Sequence, residues 1–99
     1  MLKRGLQPPH PGEILKEMFI NERHLTITEV AKGLKITRSN LSSVINGHLK
    51  ISPELAVKLS EVFGNSARFW INLQNDYELW HAEKKVNRKD INHFDYGPV

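Results

Sequence analysis

The sequence predicts an all-α domain of five helices, the last of them longer than the others and followed by a short tail. Three observations carry this. Apolar residues recur at spacings of three and four, with no sustained alternation of the kind that marks a strand. Residues able to cap a helix, Thr26, Thr37, Ser52 and Ser66, stand immediately before four of these stretches. Gly47 and Gly64 stand where two of them should stop.

The elements follow in order. Leu6 to Gly12 contains three prolines and cannot be helical, but Pro11 can occupy a first helical position, where its missing N–H is no loss. A first helix is expected over about 11–23, with Ile14, Leu15, Met18 and Phe19 as its apolar stripe. Thr26-Ile-Thr-Glu29 has the form of a capping box, in which hydroxyl and carboxylate each satisfy a free amide of the first turn. A second helix of about 27–34 turns Val30, Ala31 and Leu34 inward. Thr37 caps a third, about 38–46, with Leu41, Val44 and Ile45 inside. Ser52-Pro53-Glu54 starts a fourth, lined by Leu55, Leu59, Val62 and Phe63 and ended by Gly64. Ser66 caps the fifth, about 67–86, which carries Phe69, Trp70, Leu73, Tyr77 and Trp80. Residues 1–86 form one domain in this reading. Residues 87–99 form a tail, ordered only if Ile91, Phe94 or Tyr96 docks.

Composition removes several classes of function. A chain of 99 residues with 39% hydrophobic and 25% charged residues has the make-up of one packed domain. The absence of cysteine excludes disulfides, thiolate-bound metals and thiol nucleophiles. No two of the five histidines lie three to five residues apart, so no metal site and no cofactor is expected, and the serines near Arg38 have no base beside them in sequence. The chain does not read as an enzyme. No apolar run approaches the roughly 18 residues of a membrane span, and Met1 is not followed by a signal-peptide core, so no membrane partner and a cytoplasmic setting are expected.

Charge is more telling once divided. The formal net charge of +3 splits into +4 over residues 1–50 and −1 over 51–99. Between Glu29 and Glu54 there is no acidic residue, while Lys32, Lys35, Arg38 and Lys50 all fall there. A face without carboxylates is what a phosphate backbone requires, because each like charge opposes binding.

The second and third helices are joined only by Lys35-Ile36-Thr37, the arrangement of a helix-turn-helix over about 27–46. Ala31 is the small residue at the crossing; Val30, Leu34, Ile36, Leu41 and Val44 clamp it. The third helix presents Arg38, Ser39, Asn40, Ser42, Ser43 and Asn46 outward. A merely solvated face would carry Glu and Lys, which favour helix more than Ser and Asn do. Short hydrogen-bonding side chains suit base edges in a groove, and the capped helix start suits a phosphate. The candidate DNA-binding residues are therefore Thr26, Thr28, Thr37, Arg38, Ser39, Asn40, Ser42, Ser43, Asn46 and Lys50.

Several strings together resemble the HigA antitoxins, helix-turn-helix proteins of the Cro and phage-repressor type. They are Pro9-His-Pro-Gly-Glu-Ile-Leu15, Leu25-Thr26 with Val30-Ala31, Ile36-Thr37-Arg38, Ile45-Asn46-Gly47, Ile51-Ser52-Pro53, and Phe69-Trp70 with Leu73-Gln74 and Tyr77. The resemblance spans about residues 8–82. It implies a five-helix repressor-like domain that acts as a dimer, represses its own operon by binding operator DNA, and neutralises a HigB-type toxin, an mRNA endonuclease. Two positions depart from the pattern. Lys35 stands where such turns usually have glycine, and Ile27 where a phosphate-binding glutamine is common, which shifts phosphate anchoring to Thr26, Thr28 and the basic residues.

On the last helix, Trp70, Leu73, Tyr77 and Trp80 repeat at spacings of three, four and three, a seam pattern. They are the expected dimer interface, since palindromic half-sites require two reading heads. Phe69 and Leu73 are also expected to cover the chain's own core. A lone phage-type repressor without a toxin partner would share all the DNA chemistry. A pure adaptor would instead need an acidic or apolar third-helix surface, which is not found.

Overall fold

The computed structural model describes residues 6–94. Among these, every regular element is helical: α1 (Pro11–Ile14), which runs directly into a π-helix (Leu15–Asn21), then α2 (Ile27–Leu34), α3 (Arg38–Ile45), α4 (Pro53–Phe63) and α5 (Ala67–Lys85). A short 3₁₀ turn, Arg88–Asp90, follows. Among the described residues no helix is long and apolar enough to cross a membrane.

All four expected caps are made. The hydroxyls of Thr26, Thr37, Ser52 and Ser66 accept the amides of Glu29, Asn40, Leu55 and Phe69 at 3.0, 3.0, 3.2 and 3.1 Å. Glu29 completes the box by accepting the Thr26 amide. A fifth cap comes from His10, whose Nδ1 accepts the Gly12 amide at 2.9 Å and so starts α1.

Three helical segments end in one device. A left-handed residue lets its own amide and the next bond back to carbonyls three and five residues earlier. At His24 and Leu25 the acceptors are Asn21 and Ile20; at Lys35 and Ile36 they are Lys32 and Ala31; at Gly47 and His48 they are Val44 and Ser43. Only the third has glycine. His24 and Lys35 hold φ at 54° and 59°, a conformation that costs a side-chain-bearing residue roughly 1–2 kcal/mol. The turn of the helix-turn-helix thus keeps its usual shape, with Lys35 bearing the strain.

The first helix differs from expectation. An α-helical stripe would bring Met18 inside, but Met18 is 58% exposed and Ile20 is buried. The cause is the π-helix, whose hydrogen bonds span five residues, so that Leu15 and Ile20 share the inner face. Phe19 remains half-buried, stacking near Phe63 and Trp70 at 5.2 and 4.9 Å between ring centres. Arg23 lies over both Phe19 and Phe63.

The core gathers Leu15, Ile20, Val30, Ala31, Leu34, Leu41, Val44, Ile45, Ile51, Ala56, Leu59 and Trp70. On α4, Ala56 and Leu59 are buried, whereas Val62, expected inside, is 39% exposed. On α5 the two neighbouring aromatics exchange their expected places. Trp70 is wholly buried, its indole N–H donating to Asn65 Oδ1 at 2.9 Å, and Phe69 is 37% exposed. Gln74 is buried beside it, and its Oε1 accepts the Ile51 amide at 2.8 Å, tying α5 to the segment before α4. In the tail, Ile91 and Phe94 stay exposed, at 56% and 75%; Tyr96 lies outside the described residues.

Two contacts seat the start of α1 on the end of α3. Gly12 is buried, and a methyl group on it would overlap the Val44 carbonyl and the Ile45 Cα, so only glycine permits this approach. The His10 ring lies against Gly47 and meets Tyr77 of α5 edge-on, ring centres 4.9 Å apart.

Burial lowers the His10 pKa below the ordinary 6.5, against a smaller upward pull from Glu13. A histidine harder to protonate when folded than when unfolded gives full stability above 6.5, lost as pH falls towards the lower folded value. Protonation would also remove the Nδ1 acceptor that caps α1. His10→Asn, which keeps an acceptor but does not titrate, should melt at a temperature that varies less between pH 7 and 5 than the wild-type's does. Equal pH slopes in the two proteins by calorimetry would contradict this.

Candidate nucleic-acid interface

The exposed face of α3 follows from how its two ends are held. Thr37 fixes the first turn, the left-handed Gly47 fixes the last, and Leu41, Val44 and Ile45 are buried beneath. What remains outside is polar. Arg38, Ser39, Ser42, Ser43 and Asn46 line one shallow concavity, joined by His48 from the following segment. Within it the Asn46 amide donates to Ser42 Oγ at 3.3 Å, so the two side chains are presented as a pair. No carboxylate lines this surface.

The other members of the sequence-derived set lie around it. Asn40 and Lys50 line a second groove between α3 and α4, together with Glu54 and Lys58, which are 4.0 Å apart as an ion pair. Thr26 and Thr28 are exposed at the start of α2. The hydroxyls of Thr26 and Thr37 are occupied as acceptors by backbone amides, which leaves each O–H free to donate to an incoming anion. Ile27, at the position where a phosphate-binding side chain was missing, is half-buried against the core instead. The acid-free window thus divides into a concavity without carboxylates and a groove that meets Glu54.

His48 is the residue that the sequence reading left out. Its signal was available: it sits inside the acid-free window, directly after the glycine that stops the third helix. Its polar face was not legible, because a position beyond a helix end has no periodicity to place it.

The expected seam on α5 is altered. Trp70 is buried in the chain's own core and presents no surface to a second copy. Leu73, Tyr77 and Trp80 are half-buried. Tyr77 is flanked by His10 and His81, and Trp80 carries Lys84 over its ring at 5.1 Å. Among the described residues no group of three or more acidic or histidine side chains is placed to hold a metal ion.

Residues 15–70 match the helix-turn-helix family model, more than half of the chain. An uncharacterized helix-turn-helix-type transcriptional regulator of Escherichia coli, YddM, is 39% identical over 79 residues, covering 80% of this chain and 83% of the regulator. Antitoxin HigA-1 of Vibrio cholerae is 32% identical over 89 residues, covering 90% of this chain and 84% of the antitoxin. Among solved structures, PA4674 of Pseudomonas aeruginosa in complex with its operator DNA superposes with a TM-score of 0.83 at 31% identity, over 91% of this chain and all of that one. The first of these is named a transcriptional regulator and the second an antitoxin. On this match and this kinship, the chain belongs to the helix-turn-helix family, in the group that includes the HigA antitoxins.

Proposed function

We propose that this protein is a HigA-type antitoxin that binds palindromic operator DNA as a homodimer, represses its own operon, and neutralises a HigB-type mRNA endonuclease by direct binding. The observation that carries the DNA reading is the polar, carboxylate-free face of α3, held at both ends by caps and backed by the core. Arg38 can read guanine and Asn40 and Asn46 adenine from the major groove, while the serines and the capped starts of α2 and α3 hold phosphates. The operator complex formed by PA4674, a protein of the same fold and similar length, supports this assignment.

The dimer reading rests on α5, with Leu73, Tyr77 and Trp80 as the residues offered to a second copy and Trp70 withdrawn from that set. Leu79, 59% exposed, adds apolar surface on the same helix. Aromatic side chains of this kind are what interfaces favour. The toxin reading rests on kinship with HigA-1 and on the motifs at both ends of the domain; a lone phage-type repressor is the alternative, with the same DNA contacts and no toxin. A bacterial cytoplasm is the setting either role requires.

Arg38→Ala combined with Asn40→Ala should abolish the specific operator shift in a gel, since each base contact is worth about 1–3 kcal/mol. The backbone amide of residue 40 that Thr37 caps is retained, so melting should not change; a surviving specific shift would sink the assignment of α3. Replacing Tyr77 and Trp80 by Ala should convert a dimer into a monomer in sedimentation velocity, and an unchanged dimer rejects the α5 interface. Expression of this chain should restore growth to cells that carry the toxin gene expected beside its own; continued arrest would favour the lone repressor.

A further inference from the structure

Beyond Asn46, the residue that follows α3, the next three amides are all committed. Gly47 donates to the Val44 carbonyl at 3.1 Å, and His48 and Leu49 both donate to Ser43, at 2.8 and 3.1 Å. His48 is therefore fixed in its backbone while its side chain stays exposed, on the rim of the concavity that Arg38, Ser39, Ser42, Ser43 and Asn46 line. An exposed histidine is usually only solvated. This one is built into a polar surface that contains no carboxylate, at a helix end whose backbone amides are all hydrogen-bonded.

Building on the DNA reading above, we propose that His48 is a phosphate-contacting residue of the operator surface, and that it couples operator affinity to pH. Imidazole is the side chain whose charge ordinarily changes near neutrality, and a phosphate beside it favours the cation. Binding then takes up a proton, and affinity rises as pH falls. The charged groups around it are consistent with this. Arg38 shares its concavity, and Lys50, two residues on, faces the other groove with Glu54 and Lys58. On the side of α1, His10, Glu13, Lys16 and Glu17 line a separate groove with Asn46 and Gly47. The carboxylates thus line the two neighbouring grooves, Glu54 with Lys58 beside it, and none lines the concavity that holds His48. Protonation of His10 acts in the opposite direction, by weakening the fold, so the two histidines are separable by sign.

The test is fluorescence anisotropy with a labelled duplex from upstream of the protein's own reading frame, at constant ionic strength between pH 6 and 8, with circular dichroism to show that the fold persists. Wild-type affinity should increase on acidification, by up to about tenfold for each unit by which the contact raises the imidazole pKa. His48→Gln should bind at the weaker, alkaline level and respond little to pH. His48→Lys should bind tightly at every pH and steepen the salt dependence by about one ion relative to His48→Gln. The proposal fails if His48→Gln keeps the wild-type pH response, or if the wild-type has none. Absence of specific binding at any pH would instead overturn the DNA reading itself, and this inference with it.

Discussion

The arrangement of this domain depends on one close approach, that of Gly12 to the backbone of Val44 and Ile45. There is no room for a Cβ between the two backbone segments, so α1 lies directly on the last turn of α3. The preceding and following residues serve the same contact. His10 caps the amide of Gly12 and rests on Gly47, Pro11 supplies a first helical position that needs no donor, and Glu13 sits at the positive end of the helix. A four-residue string that reads as an ordinary helix start is in effect the socket for the end of α3. The end of α3, between the exposed Arg38 and Asn46, is therefore positioned by a backbone contact as well as by the packing of Leu41, Val44 and Ile45.

That rigidity offsets local weakness. α2 and α3 have eight residues each, too short to persist alone, and α3 gives its outer face to Ser and Asn at some cost in helix propensity. Two of the three paired helix ends carry a side chain in a left-handed conformation. What holds these helices is tertiary: Ala31, Leu34, Leu41 and Val44 are all nearly inaccessible, and Gln74 ties α5 to Ile51 by a buried hydrogen bond. The polar face can be spared from stabilising the fold because so much of the remainder is committed to it.

How far the sequence could be read follows from which interactions are local. The caps, the glycine stops, the helix-turn-helix and its inward residues all rest on spacings of a few positions, and all are present in the structure. The proposed DNA surface was visible in the same way, from composition along one helix and a run without carboxylates. Long-range choices were not visible. Either Phe69 or Trp70 could have faced inward from the periodicity; Trp70 does so against Phe19, from the other end of the domain, with Asn65 accepting its indole N–H at 2.9 Å. Gln74 reads as polar surface until Ile51 is brought to it, 23 positions away along the chain. His48 lies past the end of a helix, where periodicity has nothing to say.

The π-helix at Leu15–Asn21 has a further consequence for pattern recognition. Its inner positions are a step of five apart, a period that neither an α-helical nor a strand template contains. A search for this architecture that scores amphipathic helices at 3.6 residues per turn finds its stripe in Ile14, Leu15, Met18 and Phe19, and so credits the exposed Met18 and passes over the buried Ile20. A redesign that enlarged the side chain at position 18 on that ground would look better by every local criterion and would turn the added apolar surface to water.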